Sequence, residues 1–155
     1  MGMGHEEGRP IGGRIRVLML RGLALSAGFG IWHFFIPYLF RWYSYIPEAP
    51  RNLLVSIDWT NFFLSLLLSG TSVLLMVLHR RVIRREPSAF AFYVFLSAVW
   101  LARIVLTAVH PWRYDWMFAL QMSGFAVVFL LLLLPLLVLL RGREVRRRSP
   151  KRPDP

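Results

Sequence analysis

The residues best suited to chemistry in this sequence are polar or aromatic side chains set inside long apolar stretches. Such a side chain costs free energy in hydrocarbon unless it pairs with another group, so it marks either a ligand site or a structural polar core. The sequence leaves both interpretations open. The candidates are His33, Asp58, Asn61, Trp100, Arg103 and Gln121.

Arg103 and Asp58 are the two charged members of this set. They lie at similar depths in different apolar stretches, and pairing a guanidinium with a carboxylate makes both charges tolerable in a low dielectric. Side chains on a helix lean toward its N-terminus, which directs Arg103 into the hydrocarbon rather than toward the nearer water. We therefore expect an Arg103–Asp58 ion pair inside the protein.

Other kinds of chemistry lack the residues they need. The 155 residues include no cysteine, which excludes thiolate nucleophiles, cysteine zinc sites and iron–sulfur ligation. There is no phosphate-binding glycine loop, HExxH motif or nucleophile elbow. We expect no metal site, and we disfavour haem because nothing fixes the separation of His33 and His110. The sequence identifies no cofactor and leaves quinone open, and it favours a protein without catalytic activity.

Four long apolar stretches must position the candidate residues. The chain is 56% apolar with a mean hydropathy of +0.50, which is typical of membrane proteins. About 20 apolar residues cross the ~30 Å hydrocarbon core of a bilayer as a helix. The sequence predicts an all-α polytopic membrane protein, an antiparallel bundle of four transmembrane helices at about 17–40, 53–78, 89–109 and 116–140.

The connections and the ends of the chain define the predicted domain organisation. The connections between the apolar stretches are too short for a soluble domain, so consecutive helices should be antiparallel neighbours. The predicted transmembrane domain covers 15–141. We expect the basic segments on either side, 1–14 and 142–155, to be disordered.

The distribution of basic residues predicts the orientation. Of the 19 Lys and Arg residues, 15 lie at the two ends and between the second and third stretches, and three lie in the other two connections. The positive-inside rule then places both termini in the cytoplasm, and we expect the cell membrane to be a bacterial inner membrane. The tryptophans expected to anchor the opposite interface are Trp42, Trp59, Trp112 and Trp116.

The basic ends also indicate a class of partner. They follow membrane helices directly and lack interleaved aromatic residues, which favours anionic lipid headgroups over nucleic acid. The apolar helices themselves favour protein partners within the membrane.

Short elements in and next to the first and last apolar stretches resemble one known family. They are Arg21-Gly22, His33-Phe34, Pro37, Phe40, Ile46-Pro47 and Ala49-Pro50-Arg51, followed by Pro111-Trp112, Trp116 and Leu120-Gln121. These elements are similar to those of DoxX-like small membrane proteins. The resemblance implies a four-helix bundle and a link to membrane redox systems, because some members are associated with thiosulfate:quinone oxidoreductase. It implies no catalytic mechanism.

Two functions from different classes follow from the sequence. The first is a non-catalytic accessory or structural subunit of a larger membrane complex. The alternative is a redox subunit that binds a quinone or another small amphiphile in a polar pocket in the outer half of the bundle. In that case His33 and Arg103 would donate to a carbonyl oxygen, and Trp59 or Trp100 would stack on the ring.

Overall fold

The structure, a computed structural model, describes residues 9–111 and 116–148, and this part of the chain consists of helices and the turns that join them. A short 3₁₀ helix, Trp42–Tyr45, lies between the second and third α-helices. The α-helices are α1 (Arg9–His33), α2 (Ile36–Leu39), α3 (Arg51–Val77), α4 (His79–Ile83), α5 (Pro87–Val109) and α6 (Trp116–Arg148).

Four of these helices are long and apolar enough to cross a membrane. The spans are Gly13–His33, Arg51–Val77, Pro87–Val109 and Trp116–Arg141. The predicted four-helix transmembrane bundle is therefore confirmed.

The first predicted helix differs from the observed one at its C-terminal end. The sequence predicts a continuous helix over 17–40, whereas α1 ends at His33 and α2 begins at Ile36. Pro37 is the physical reason, because it has no N–H for the carbonyl four residues earlier and its ring crowds that carbonyl. The main chain turns through Phe34 and Phe35 before helix resumes.

The terminal helices extend beyond the predicted domain boundaries. Helix α1 begins at Arg9 rather than near 15, and α6 continues to Arg148 rather than ending near 141. The disorder predicted for 9–14 and 142–148 is thus replaced by helix in the structure. Arg and Glu are good helix formers, and the next proline after α6 is Pro150, so propensity allows the helix to continue. The remaining predicted disordered residues, 1–8 and 149–155, lie outside the described residues.

The bundle is built around α1. Helix α1 packs along both α3 and α6, α5 packs mainly on α6, and α3 and α5 contact each other less extensively. The core contains Met19, Leu23, Leu68, Leu75, Tyr93, Leu96, Trp100, Phe125, Val128 and Leu132.

Two glycines let α1 approach its neighbours closely. A Cβ on Gly30 would lie 2.6 Å from the main-chain N of Ser69, so α1 and α3 are nearly in backbone contact there. A Cβ on Gly22 would lie 3.0 Å from the Cβ of Leu131 on α6. Small residues at helix interfaces allow such approach in membrane proteins. Gly22, Ser26 and Gly30 are all buried, and they lie on the face of α1 that packs against the other helices.

The antiparallel arrangement gives the bundle two chemically different ends. The tryptophan end holds the end of α1, the start of α3, the end of α5 and the start of α6, with Trp42, Trp59 and Trp116. The arginine end holds the start of α1, the end of α3, the start of α5 and α4, which carries Arg80 and Arg81.

Candidate functional site

His33 and Arg103 meet inside the tryptophan end of the bundle. His33 is the last residue of α1, and Arg103 lies six residues before the end of α5. The Arg103 guanidinium donates a hydrogen bond from Nη2 to His33 Nε2. Both side chains are half-buried. The sequence grouped these residues in one polar set, and the structure places them in direct contact.

Aromatic rings form one wall beside the Arg103 guanidinium. Its Cζ lies 4.5 Å from the ring centroid of Phe125 and 5.8 Å from that of Trp100. Phe29, Trp100 and Phe125 contact one another edge to face, with centroids 5.6–5.7 Å apart. A cation over an aromatic face is stabilised by the ring quadrupole, and more strongly so where water is excluded. The rings therefore stabilise the Arg103 charge, which the sequence predicts to be stabilised by an ion pair with Asp58.

The hydrogen bond from Arg103 fixes the protonation of His33. A guanidinium has only donors, so His33 Nε2 must be the acceptor and the ring proton must be on Nδ1. Nδ1 is buried and has no hydrogen-bond partner among the described residues. A buried N–H without an acceptor is costly, and it would readily donate to an oxygen brought next to it. His33 is therefore the residue of this cluster with unused bonding capacity.

Asp58 has a different partner from the one predicted. Its carboxylate accepts a hydrogen bond from the phenol of Tyr43, and its side chain is exposed. The Arg103–Asp58 ion pair is not formed between these two described residues. Helix α5 packs on α6, which turns Arg103 toward Phe125 and away from α3.

The hydrogen bond to Asp58 changes the acidity of Tyr43, which lies in the connection outside the membrane spans. This bond, together with partial desolvation and the nearby negative charge, raises the pKa of Tyr43 to about 12. Ionising the phenol would remove the donor and place a second negative charge beside the carboxylate, so the neutral phenol is favoured. Tyr43 therefore remains a donor to Asp58 at neutral pH.

Asn61 caps the broken end of α1. Its Nδ2 donates to the main-chain oxygen of His33 over 2.9 Å. In a continuous helix that oxygen would accept from the N–H of residue 37, which is a proline here. Asn61 thus supplies the donor that Pro37 lacks. The sequence left Asn61 open as a ligand or structural residue, and its amide has a structural partner.

A hydrogen-bonded chain crosses the middle of the bundle from α5 through α1 to α3. Trp100 Nε1 donates to Ser26 Oγ over 2.9 Å, and Ser26 Oγ lies 2.7 Å from Ser72 Oγ. Ser72 donates its only hydroxyl proton to the carbonyl of Leu68, at 2.7 Å, so Ser26 must donate to Ser72. Ser26, Ser72 and Trp100 are fully buried.

This chain of hydrogen bonds is not among the predictions from the sequence. Trp100 is one of the candidate residues, but the sequence predicts no contact between Trp100, Ser26 and Ser72. The available signal was a pair of serines and an indole at similar depths on three inward faces. Because a buried indole N–H needs an acceptor, that combination indicates a hydrogen bond between helices.

The remaining candidates lie away from the His33–Arg103 cluster. Gln121 is exposed on the second turn of α6. Trp59 and Trp116 are also exposed, at 66% and 73%, and Trp42 is half-buried. Trp112 lies outside the described residues. His33, Trp100 and Arg103 therefore lie together in one cluster. Asn61 contacts this cluster through the main-chain oxygen of His33.

An open groove of about 610 Å³ lies beside Asn61 on the α3 side of the tryptophan end. It is largely aromatic, and its lining includes the carboxylate of Asp58 and the amide of Asn61. Among the described residues, no group of three His, Cys, Asp or Glu side chains could hold a metal ion. The groove is lined by Phe34, Pro37, Tyr38, Asp58, Trp59, Asn61, Phe62 and Phe63.

In comparisons with protein-family models, curated proteins and solved structures, nothing matches the chain. The helices and their packing therefore define its class by themselves. The protein is an integral membrane protein with a four-helix transmembrane bundle.

Proposed function

We propose that the chain is a non-catalytic accessory or structural subunit of a larger membrane complex. The observation that carries this proposal is the Trp100–Ser26–Ser72 hydrogen-bonded chain, which uses the polar groups of the central core to join three helices. The Asn61 amide also has a structural role, because it donates to the main-chain oxygen of His33 at the end of α1. Polar groups with such bonds hold the helices in register and provide no reactive centre.

The outer surface of α3 supports contact with a partner inside the membrane. Near the tryptophan end it presents Trp59, Phe62 and Phe63, whose exposed fractions are 66%, 50% and 56%. Large aromatic side chains provide wide contact area at low conformational cost, and they are enriched at protein interfaces. We infer that this aromatic surface packs against a partner helix.

Purification from native membranes in a mild detergent tests the subunit proposal. The wild-type chain should co-purify with a stoichiometric partner. The Phe62→Ala/Phe63→Ala variant should lose that partner, whereas Leu137→Ala/Val138→Ala, an exposed apolar pair on α6, should retain it. Recovery of the wild-type chain alone, as a monodisperse particle, would contradict the proposal.

A second candidate function is the binding of a quinone or another small amphiphile with a carbonyl group. The observation that favours it is the buried Nδ1 of His33, which has no partner among the described residues, on an imidazole whose Nε2 accepts from the Arg103 guanidinium. One N–H donor and one cation beside aromatic rings suit a carbonyl oxygen attached to a flat ring. The resemblance to DoxX-like proteins supports this candidate as well.

Binding of decylubiquinone to the purified protein tests the second candidate. Binding should be lost in His33→Phe, which removes the Nδ1 donor, and retained in His110→Phe, which changes an exposed histidine after α5. A wild-type protein that neither retains native quinone nor binds the analogue would eliminate this candidate and leave the subunit proposal intact.

We also propose that the protein resides in a bacterial inner membrane with both termini in the cytoplasm. The excess of basic residues at the arginine end supports this orientation. Exposed Trp59 and Trp116 at the other end suit an interfacial position, where amphipathic rings anchor.

A further inference from the structure

Two pairs of adjacent arginines follow α3 at the arginine end. We call Arg80, Arg81, Arg84 and Arg85 the arginine ridge. Arg80, Arg81 and Arg84 are exposed, and Arg85 is half-buried. Helix α4, which carries the first two, is fixed to the bundle by Val82, which has no exposed surface. The ridge therefore belongs to the folded domain, unlike a free basic tail.

The ridge has little negative charge of its own to neutralise it. Arg81 forms an ion pair with Glu86 at 3.7 Å, and the exposed fractions of the two side chains are 63% and 44%. Such pairs contribute little to stability. Among the described side chains, no carboxylate pairs with Arg80, Arg84 or Arg85. Arg14, Arg16 and Arg141 add further positive charge at the same end.

The backbone holds the ridge in a defined shape. Glu86 N donates to Arg81 O at 3.0 Å, and Arg85 N donates to Val82 O at 2.9 Å. These two bonds form a Schellman motif, in which the residue after the helix adopts a left-handed conformation. Arg85 occupies that position with φ 59°. Glycine is preferred there because a Cβ is strained, so Arg85 keeps a charged side chain at the expense of backbone stability.

We propose that the arginine ridge is a binding site for the phosphate of an anionic phospholipid headgroup. The ridge lies where a transmembrane helix ends, at the level of lipid headgroups, and its charge is complementary to phosphate. Arginine suits this ligand because its planar fork of donors matches phosphate oxygens. This inference depends on membrane insertion alone and not on a protein partner or a quinone.

Native mass spectrometry of the full chain tests the site. The protein is released from dodecyl maltoside micelles that contain equal amounts of phosphatidylglycerol and phosphatidylcholine with identical acyl chains. The wild-type chain should retain phosphatidylglycerol preferentially. Arg80→Gln/Arg84→Gln should lower this preference by about fivefold for each arginine removed. Arg41→Gln/Arg51→Gln, at the tryptophan end, should leave it unchanged.

Arg85→Gly separates lipid binding from folding. Glycine relieves the left-handed strain, so the melting temperature in detergent without phospholipid should rise while the preference for phosphatidylglycerol falls. Lower lipid retention in a more stable protein cannot result from unfolding. Equal retention of the two lipids by the wild-type chain would overturn the proposal. The proposal would also be overturned if Arg41→Gln/Arg51→Gln lowered the preference for phosphatidylglycerol as much as Arg80→Gln/Arg84→Gln. A rise in melting temperature with inorganic phosphate equal to the rise with phosphatidylglycerol would overturn it as well.

Discussion

Asn61 Nδ2 lies 2.9 Å from the main-chain oxygen of His33, the oxygen that Pro37 leaves without a helical donor. Two features of the sequence, a proline in one stretch and an asparagine in the next, are thereby explained together. The contact ties the end of α1 to α3 and holds His33 where Arg103 reaches it.

Replacing Asn61 by Leu should show how much this contact contributes to the free energy of unfolding. The His33 carbonyl would lose its donor, and the free energy of unfolding should fall by about 1–3 kcal/mol. SDS titration in mixed micelles measures this change. Asn52→Leu, at an exposed site on α3, is the control and should change stability little. Combining Asn61→Leu with Pro37→Ala should recover part of the loss, because alanine restores the N–H. Full additivity of the two changes would contradict the capping role.

The sequence predicted the helices well because membrane insertion depends on local properties. Hydropathy and length determine the four spans. The partner of Arg103 was not predictable in this way. The sequence places Asp58 at a depth similar to that of Arg103, but the packing of α5 on α6 decides which side chains meet. Which helices pack against each other is a tertiary property, and the hydropathy and length of the single stretches do not show it.

Gly30→Ala should destabilise the bundle strongly for a change of one methyl group. The new Cβ would lie 2.6 Å from Ser69 N, which is main chain and cannot move aside without shifting α3. We expect a loss of about 1–3 kcal/mol, measured by the same SDS titration. Gly28→Ala is the matched control, because nothing lies within 4 Å of its Cβ. That control should gain up to about 1 kcal/mol from helix propensity. Equal effects at both positions would show that α1 and α3 are not in close contact.

The hydrogen-bonded chain through Ser26 predicts an order of effects. Ser26→Ala leaves the buried Trp100 N–H without its acceptor, and should lower the free energy of unfolding by roughly 1–2 kcal/mol. Ser72→Ala should lower it less, because the Ser26 hydroxyl can turn to another acceptor and still accept from Trp100. Ser123→Ala, whose exposed hydroxyl donates to Ala119 O within the same helix, should be close to neutral. A larger loss for Ser72→Ala than for Ser26→Ala would contradict the donor directions assigned above.

Double-mutant cycles should distinguish the observed partner of Arg103 from the expected one. Arg103→Leu and His33→Leu remove a direct hydrogen bond, so their effects on unfolding free energy should be coupled by about 0.5–3 kcal/mol. Arg103→Leu and Asp58→Leu should add to within roughly 0.5 kcal/mol, because Asp58 bonds to Tyr43 instead. Strong coupling in the second cycle, with none in the first, would instead indicate the Arg103–Asp58 ion pair that the sequence predicts.

Single-cysteine labelling should determine the orientation without background, because the natural chain contains no cysteine. Ser44, in the 3₁₀ helix of the tryptophan end, and Ser88, near the start of α5 at the arginine end, are both exposed. If the arginine end faces the cytoplasm, an impermeant maleimide added to intact spheroplasts should label Ser44→Cys and not Ser88→Cys. Permeabilisation should then make Ser88→Cys reactive, which shows that its thiol is accessible. The reverse pattern in intact spheroplasts would place the arginine ridge and both termini outside the cell. The lipid phosphate inferred for the ridge would then belong to the outer leaflet.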